Sequence, residues 1–258
     1  MPLAFFSHSV WRRCGAAILF GWASMASNLQ AASLQVSPVS LDMPARQAAE
    51  GLWLSNSGNE PLQAQVRVYA WLQENGQDVL KPTNDMVASP PMLSIQPGQR
   101  QIVRIIRVGA GLAPPPIEKT YRVVMDELPI SSQSKGVQFV LRYSVPIFVA
   151  AAAPAAAANT QPQQMPAPPV TWTLQGSGKT AVLSATNGGD MHAKITQVSF
   201  TPKKGKKVVL SEGLYGYVLA RSTRQWPLAD NARLFSAGGT LDALVNDQAI
   251  SIPVSAVP

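Results

Sequence analysis

Thiols and imidazoles are nearly missing from these 258 residues: Cys14 is the single cysteine, and His8 and His192 are the two histidines. One cysteine excludes a disulfide framework, so the chain must hold together by core packing. Neither a nitrogen–sulfur metal site nor a Ser-His-Asp group has its usual parts. Only 14% of the residues are charged. Asp126 and Glu127 are adjacent, so on a strand they face opposite sides and cannot work as a pair. A sugar hydrolase would need two such carboxylates. Glycine-rich phosphate loops are absent. No stretch beyond residue 32 is long and apolar enough to span a bilayer, so no membrane insertion of the mature chain is expected. We expect no catalytic residue, no cofactor and no metal, and we read His192 as a solvent-exposed turn residue.

At the N-terminus, Arg12 and Arg13 precede an apolar run from Cys14 to Met25, and small residues from Ala26 to Ala32 follow. Basic region, short apolar region and small-residue exit make a secretory signal peptide over 1–32. Cleavage near Ala31 or Ala32 removes the cysteine. It also removes two arginines and no acid, so the formal charge falls from +7 to +5. Lys203, Lys204, Lys206 and Lys207 cluster where a hairpin turn is expected after Thr201-Pro202. No aromatic residue interleaves with them, which reads as a solvated turn and no nucleic-acid partner.

Helical periodicity is scarce. Short runs rich in Val, Ile, Leu, Tyr and Trp alternate with Gly, Pro, Asn and Ser at the spacing of β-sandwiches. Strands are predicted at 33–41, 50–56, 62–73, 86–88, 101–108, 120–128 and 137–149. After an Ala/Pro-rich stretch they resume at 170–175, 179–186, 193–200, 206–210, 216–220, 222–228, 241–245 and 249–254. Asn187-Gly188-Gly189-Asp190 and Val245-Asn246-Asp247-Gln248 look like hairpin turns. The fold class is all-β: an immunoglobulin-like domain over 33–149, a linker over 150–169 and a second immunoglobulin-like sandwich over 170–258. One large sandwich with an insertion is the alternative.

The stretch 137–149 stands out. Odd positions 137 to 147 carry Val137, Phe139, Leu141, Tyr143, Val145 and Ile147, whereas Gln138, Arg142 and Ser144 lie on the other face. At ~3.3 Å per residue it would run about 43 Å, beyond the usual strand. Pro146 inside it argues for a sheet edge. A long apolar edge is an aggregation hazard unless something is meant to pair with it. The pattern suggests a strand lent to another chain, with packing into the protein's own core as the alternative.

Several blocks occur in a telling order: Leu54-Ser55-Asn56, Trp71-Leu72, Ala88-Ser89-Pro90-Pro91, Ile95-Gln96-Pro97-Gly98, Val103-Arg104, and Glu118 leading into Thr120 to Pro129. With 137–149 after them, they resemble the PapD-like periplasmic chaperones of pilus assembly over nearly the whole mature chain. The resemblance implies binding of pilus or fimbrial subunits by donor-strand complementation and delivery to an outer-membrane usher in the periplasm. It places Val137, Phe139, Leu141 and Tyr143 at the donor positions. Self-association of the free chaperone through its open edge is a further partner reading. The best-known members hold the subunit's terminal carboxylate with an Arg on the first strand and a Lys on the last, but Ser40 and Pro146 stand there in this chain. A basic residue that helps join the domains is replaced by Ala150. This departure resembles the archaic or alternative branch, and it makes Arg122 and Arg142 the anchor candidates, with Arg104 and Arg107 behind them. Ordinary solvated strand arginines are the competing reading of these four. A secreted two-domain immunoglobulin-like adhesion or structural module is the competing function.

Overall fold

A computed structural model gives the fold, and it describes residues 34–128, 140–152, 169–176, 180–228 and 232–255. The expected leader, most of the Ala/Pro-rich stretch, and Val137 and Phe139 lie outside the described residues.

The first half contains β1 (Leu34–Ser37), β2 (Leu41–Met43), β3 (Ala49–Asn56), β4 (Leu62–Glu74), β5 (Gln77–Pro82), β6 (Met86–Ser89), β7 (Met92–Ile95), β8 (Arg100–Arg107), β9 (Lys119–Leu128) and β10 (Arg142–Val149). One sheet runs β1-β3-β8-β6; the facing sheet runs β2-β10-β9-β4-β5, with β7 also on β4. Alternation drives the packing. Leu62, Ala64 and Val66 of β4 meet Tyr121, Val123 and Met125 of β9 and Val145, Ile147 and Val149 of β10 in one core. Leu52, Leu54, Val103 and Ile105 fill it from the other sheet. Burying such side chains is worth about 1.5–3 kcal/mol each.

The expected strand 33–41 is two strands in opposite sheets. Pro38 has no N–H for a ladder and Val39 is exposed, so the chain crosses the sandwich between β1 and β2. The expected strand 137–149 is a ladder of eight residues, 142–149. β5 is an addition to the expected strands, because five of its six residues are exposed and no alternation marks it.

The second half contains β11 (Val170–Gln175), β12 (Val182–Asn187), β13 (Ala193–Pro202), β14 (Val208–Val209), β15 (Leu214–Val218), β16 (Thr223–Pro227), the single-turn α1 (Ala232–Phe235), β17 (Gly239–Val245) and β18 (Gln248–Val254). A β11-β12-β16 sheet faces a β14-β13-β17-β18 sheet that also carries β15. Phe200 stacks on Phe235 at 3.9 Å in a core separate from the first. Val245 to Gln248 closes the β17–β18 hairpin as expected, with Asn246 and Asp247 both at positive φ. Residues 187–190 are not a hairpin turn: they carry the chain from β12 to β13 in the opposite sheet.

A buried asparagine performs the same task in each half. Asn56 Nδ2 donates to the Glu60 and Ile95 carbonyls, and its Oδ1 accepts from the Gly58 N–H. Asn187 Nδ2 donates to the Met191 and Val218 carbonyls, and its Oδ1 accepts from the Gly189 N–H. Each side chain supplies the backbone bonds its loop would otherwise lack.

Arg107 occupies an inward position of β8 after Val103 and Ile105, and it is buried. Its guanidinium donates to the carbonyls of Gly111, Ala45, Gln47 and Ala113 at 2.6–3.0 Å. Those bonds occupy four of its five N–H donors, so this weaker anchor candidate is a clip for two loops. On the outer face, Asp126 of β9 accepts from both Arg67 and Arg142. Partial burial pushes its carboxyl up, but those two hydrogen bonds more than offset this and hold it below the ordinary carboxylate value.

Arg107→Met removes the donor from four carbonyls, of which the Gly111 bond is fully buried, and an unsatisfied buried group costs about 1–3 kcal/mol. We expect a clear loss of first-domain stability in urea denaturation; an unchanged midpoint would refute the clip. A depressed carboxyl contributes stability above its unfolded pKa and loses it as pH falls through the folded one. The stability gap between wild type and Asp126→Asn should therefore shrink on acidification below the carboxylate range. A gap constant with pH would count against that account.

Candidate functional site

The geometry of β10 follows from its pairing with β9. The Glu127 N–H donates to the Leu141 carbonyl, and the register pairs Arg142 with Asp126, Val145 with Val123 and Val149 with Lys119. In an antiparallel pair, bonded and non-bonded positions alternate. Odd residues 141–149 therefore aim their N–H and C=O groups at β9, and even residues aim theirs the other way. On that other side, Ile147, Phe148 and Val149 register in parallel with Leu41, Asp42 and Met43, and the Ala150 N–H donates to the Met43 carbonyl. Outside Pro146 no strand covers Arg142 or Ser144 among the described residues. β10 is thus a central strand at its inner end and an edge at its outer end. Pro146 stands at the change, where it has no N–H to offer an edge partner.

The outer face of this sheet turns toward the second sandwich. Trp71, Phe148 and Leu219 are buried together with Tyr217 against them. Gln73 reads the second sandwich with both ends of its amide: Nε2 donates to the Tyr217 carbonyl at 2.8 Å and Oε1 accepts from the Leu219 N–H at 3.0 Å. The β4–β5 turn docks on β16: the Gly76 carbonyl accepts from the Gln225 N–H and from Arg224 Nη1. Gly76 lies at φ +76°, and a Cβ there would meet the Gln225 side chain at 2.5 Å, so only glycine fits this approach. His192 is not a free turn residue. Its backbone N–H donates to Glu118 Oε1 at 2.8 Å, its Nδ1 lies 3.0 Å from both carboxylate oxygens, and its ring stacks on Phe148 at 3.5 Å. Phe148 belongs to β10, so the second sandwich grips the inner end of that strand directly.

Beside this cluster lies Arg122. The register sets it across from Pro146 on β10, and continuing the β2 register by one step brings Ser40 abreast of Pro146 on the other side. The two positions where a basic pair was expected are therefore neighbours, and the arginine occupies the third place in the same row. Its guanidinium lies 3.8 Å from the Trp71 ring centroid, and its hydrogen bonds to the Ser144 carbonyl and hydroxyl are long, 3.4 and 3.5 Å. Burial holds it below the ordinary arginine value, opposed by the fields of Asp78 and Tyr217. The buried indole N–H of Trp71 has no acceptor among the described residues.

The other anchor candidates are placed differently. Arg142 is well exposed and bonded to Asp126, two same-face steps outward from Arg122 along the sheet. Arg104 is exposed on β8, registered with Gly51 and Ser89 in the opposite sheet. Of the donor positions, Leu141 and Tyr143 are half-buried against the first core, and the Tyr143 hydroxyl donates to the Leu34 carbonyl at 2.7 Å. Val137 and Phe139 lie outside the described residues. A cavity of about 460 Å³ opens between β4, residues 115–121 and residues 219–222, but neither Arg122 nor β10 lines it. A strand-accepting edge is flat and needs no cavity. Trp71, Gln73, His192 and Tyr217 are absent from the expected site residues, and no local pattern marks them.

Comparison with known proteins fits this geometry. Residues 33–155 match the family described as pili and flagellar-assembly chaperone, PapD N-terminal domain. No curated protein matches the sequence. Among solved structures, the chain resembles the CsuC–CsuE chaperone–tip adhesion subunit pre-assembly complex from archaic chaperone-usher Csu pili of Acinetobacter baumannii. That likeness has a TM-score of 0.65 at 22% identity, over 88% of this chain and 100% of that one. It also resembles Salmonella enterica SafA pilin in complex with the SafB chaperone, with a TM-score of 0.58 at 16% identity, over 86% and 96%. The E. coli chaperone DraB gives a TM-score of 0.55 at 20% identity, over 86% and 96%. At these identities the structures speak for the fold, and the sequence match speaks for the first domain. Residues 33–155 thus belong to the PapD N-terminal domain family of pili and flagellar-assembly chaperones, and the two-sandwich chain shares the fold of the solved chaperones.

Proposed function

We propose that this protein is a periplasmic chaperone that stabilises pilus or fimbrial subunits by lending them a strand, and that it passes them to an outer-membrane usher. The observation that carries this reading is the half-open edge of β10 beside a half-buried arginine that makes no direct ion pair among the described residues. Backbone groups of Arg142 and Ser144 supply edge hydrogen bonds to an incoming strand. Val137, Phe139, Leu141 and Tyr143 are its donor side chains, each worth about 1.5–3 kcal/mol when buried in an incomplete partner. Leu141 and Tyr143 already rest partly on the protein's own core, so their own gain on binding is smaller. The leader over 1–32, the domain spans 33–149 and 170–258 and the linker 150–169 belong to the same reading. So do the archaic or alternative branch and self-pairing of the free edge.

Arg122 is the anchor for a subunit's terminal carboxylate. A guanidinium partly withdrawn from water with only the distant field of Asp78 to offset this is poorly compensated, and a carboxylate in contact would give it a charge-assisted bond. Arg142 already has Asp126 and is solvated, while Arg104 faces away; neither adds much to the site.

The test is periplasmic co-expression of the full-length chain with a panel of pilus subunits: CsuE, SafA and the secreted subunits of its own host. We expect one or more to be recovered as a complex, Phe139→Asp to abolish recovery, and a two-domain adhesion module to recover none. Truncating one partner of a buried charge pair costs about 2–5 kcal/mol, so Arg122→Ala should lower recovery by more than tenfold. Arg142→Ala should leave it within a few-fold of wild type. Equal losses from both arginines would remove the anchor assignment.

A further inference from the structure

The lysine cluster of the second sandwich has a setting that its sequence does not show. Val208 and Val209 register with Phe200 and Ser199, so residues 203–207 form the tip of the β13–β14 hairpin. The Lys203 N–H donates to the Gly238 carbonyl at 3.0 Å, which ties the base of that tip to the start of β17. Lys203, Lys204, Lys206 and Lys207 are all exposed. Lys207 has Asp242 at 3.4 Å, whereas the other three make no ion pair among the described residues. Beside them, Val209 and Leu214 are 56% and 55% exposed. They lie on β14 and β15, both on the side of β13 away from β17. The tip is also remote from the first sandwich. β13 starts next to His192 and runs ten residues, so at ~3.3 Å per residue its far end is about 30 Å from that contact.

We propose that this tip and its apolar flank dock on an anionic lipid bilayer. Phosphate-bearing headgroups face the lysines, and Val209 and Leu214 rest at the headgroup boundary. The shape and the residue types favour this occupant. A convex tip has nowhere to enclose a small anion, and lysines are hydrated point charges that fix no geometry. A bilayer asks for neither, because its field is diffuse and draws basic clusters to its surface. Exposed aliphatic side chains beside such charges suit the zone between headgroups and acyl chains. A nucleic-acid strand would instead call for stacking aromatics, and residues 203–214 contain none. Docking at the tip leaves the β10 edge free, so lipid contact and strand lending do not compete.

Co-sedimentation of the processed chain, recovered from the periplasm, with vesicles of phosphatidylglycerol and phosphatidylcholine tests the proposal. Binding should require phosphatidylglycerol and fall steeply with added salt, which screens the charge attraction. Lys203→Gln, Lys204→Gln and Lys206→Gln together should weaken it about a hundredfold, at roughly fivefold per lysine. Val209→Ser with Leu214→Ser should weaken it less and leave the salt dependence unchanged. A charge-matched triple at exposed positions elsewhere, Arg46→Gln, Lys81→Gln and Arg221→Gln, should stay within a few-fold of wild type. Equal losses from the two triples would make net charge the cause and overturn the tip. Absence of binding, or equal binding to phosphatidylcholine alone, would return the cluster to a solvated turn. Displacement by inorganic phosphate beyond that by chloride at equal ionic strength would replace the bilayer with a free anion. Subunit recovery by the lysine triple should match wild type, so this proposal and the strand-lending reading fail separately.

Discussion

A β-strand has hydrogen-bonding groups on two sides, and in β10 one of those sides is only partly satisfied. Toward β9 the ladder runs the length of the strand; toward β2 it covers three residues and stops. Exposed edge groups are solvated by water, so this arrangement is tolerable, but it is also a template for another chain. The surrounding features take their meaning from that asymmetry. Pro146 marks where the edge begins, and Arg122 sits over the boundary in one row with Pro146 and Ser40.

An edge can present a register only if it is held still, and the second sandwich supplies that restraint. Its grip on the first is polar and specific. The Gln73 amide completes two backbone bonds, Arg224 and Gln225 converge on Gly76, and Glu118 receives both the backbone and the ring of His192. Aromatic stacking of this kind contributes about 0.5–1.5 kcal/mol beyond area burial, and here it falls on Phe148. Because Phe148 is two residues from Pro146 on the same face, the contact that joins the domains also fixes the inner end of the edge. That supplies a physical reason for a second sandwich in a protein whose open edge belongs wholly to the first.

Much of this was legible in the sequence, for reasons that differ between elements. Alternation in β4, β9 and β10 reported the core faithfully, since Leu62, Ala64, Val66, Tyr121, Val123 and Val145 are all buried. β5 was silent because Gln77–Pro82 is a surface strand held by its backbone, and a backbone ladder leaves no side-chain signature. The β1–β2 crossing reads as one strand because Val36 and Val39 continue an apolar run, although Pro38 lies between them. His192 illustrates the deeper limit. It follows the bend that carries the chain from β12 to β13, but its partner Glu118 is 74 residues away, and nothing local encodes such a pairing.

The arginines show how far one-dimensional reading reaches at the site. Alternation placed Arg122 and Arg142 on the same face, and residue type alone made them equal candidates. What separates them is the company each keeps across strands. Arg142 registers with Asp126 and shares that carboxylate with Arg67, so it already has a counter-ion in contact. Arg122 registers with Pro146 and lies on Trp71, partners that take part of its solvent and return no negative charge. In the expected pattern two bases on flanking strands would share one carboxylate. In the proposed assignment a single arginine on the third strand of the row takes that place, 3.8 Å from the Trp71 ring centroid. Arg offers a planar fork that Lys does not, so one guanidinium can hold both oxygens of a carboxylate.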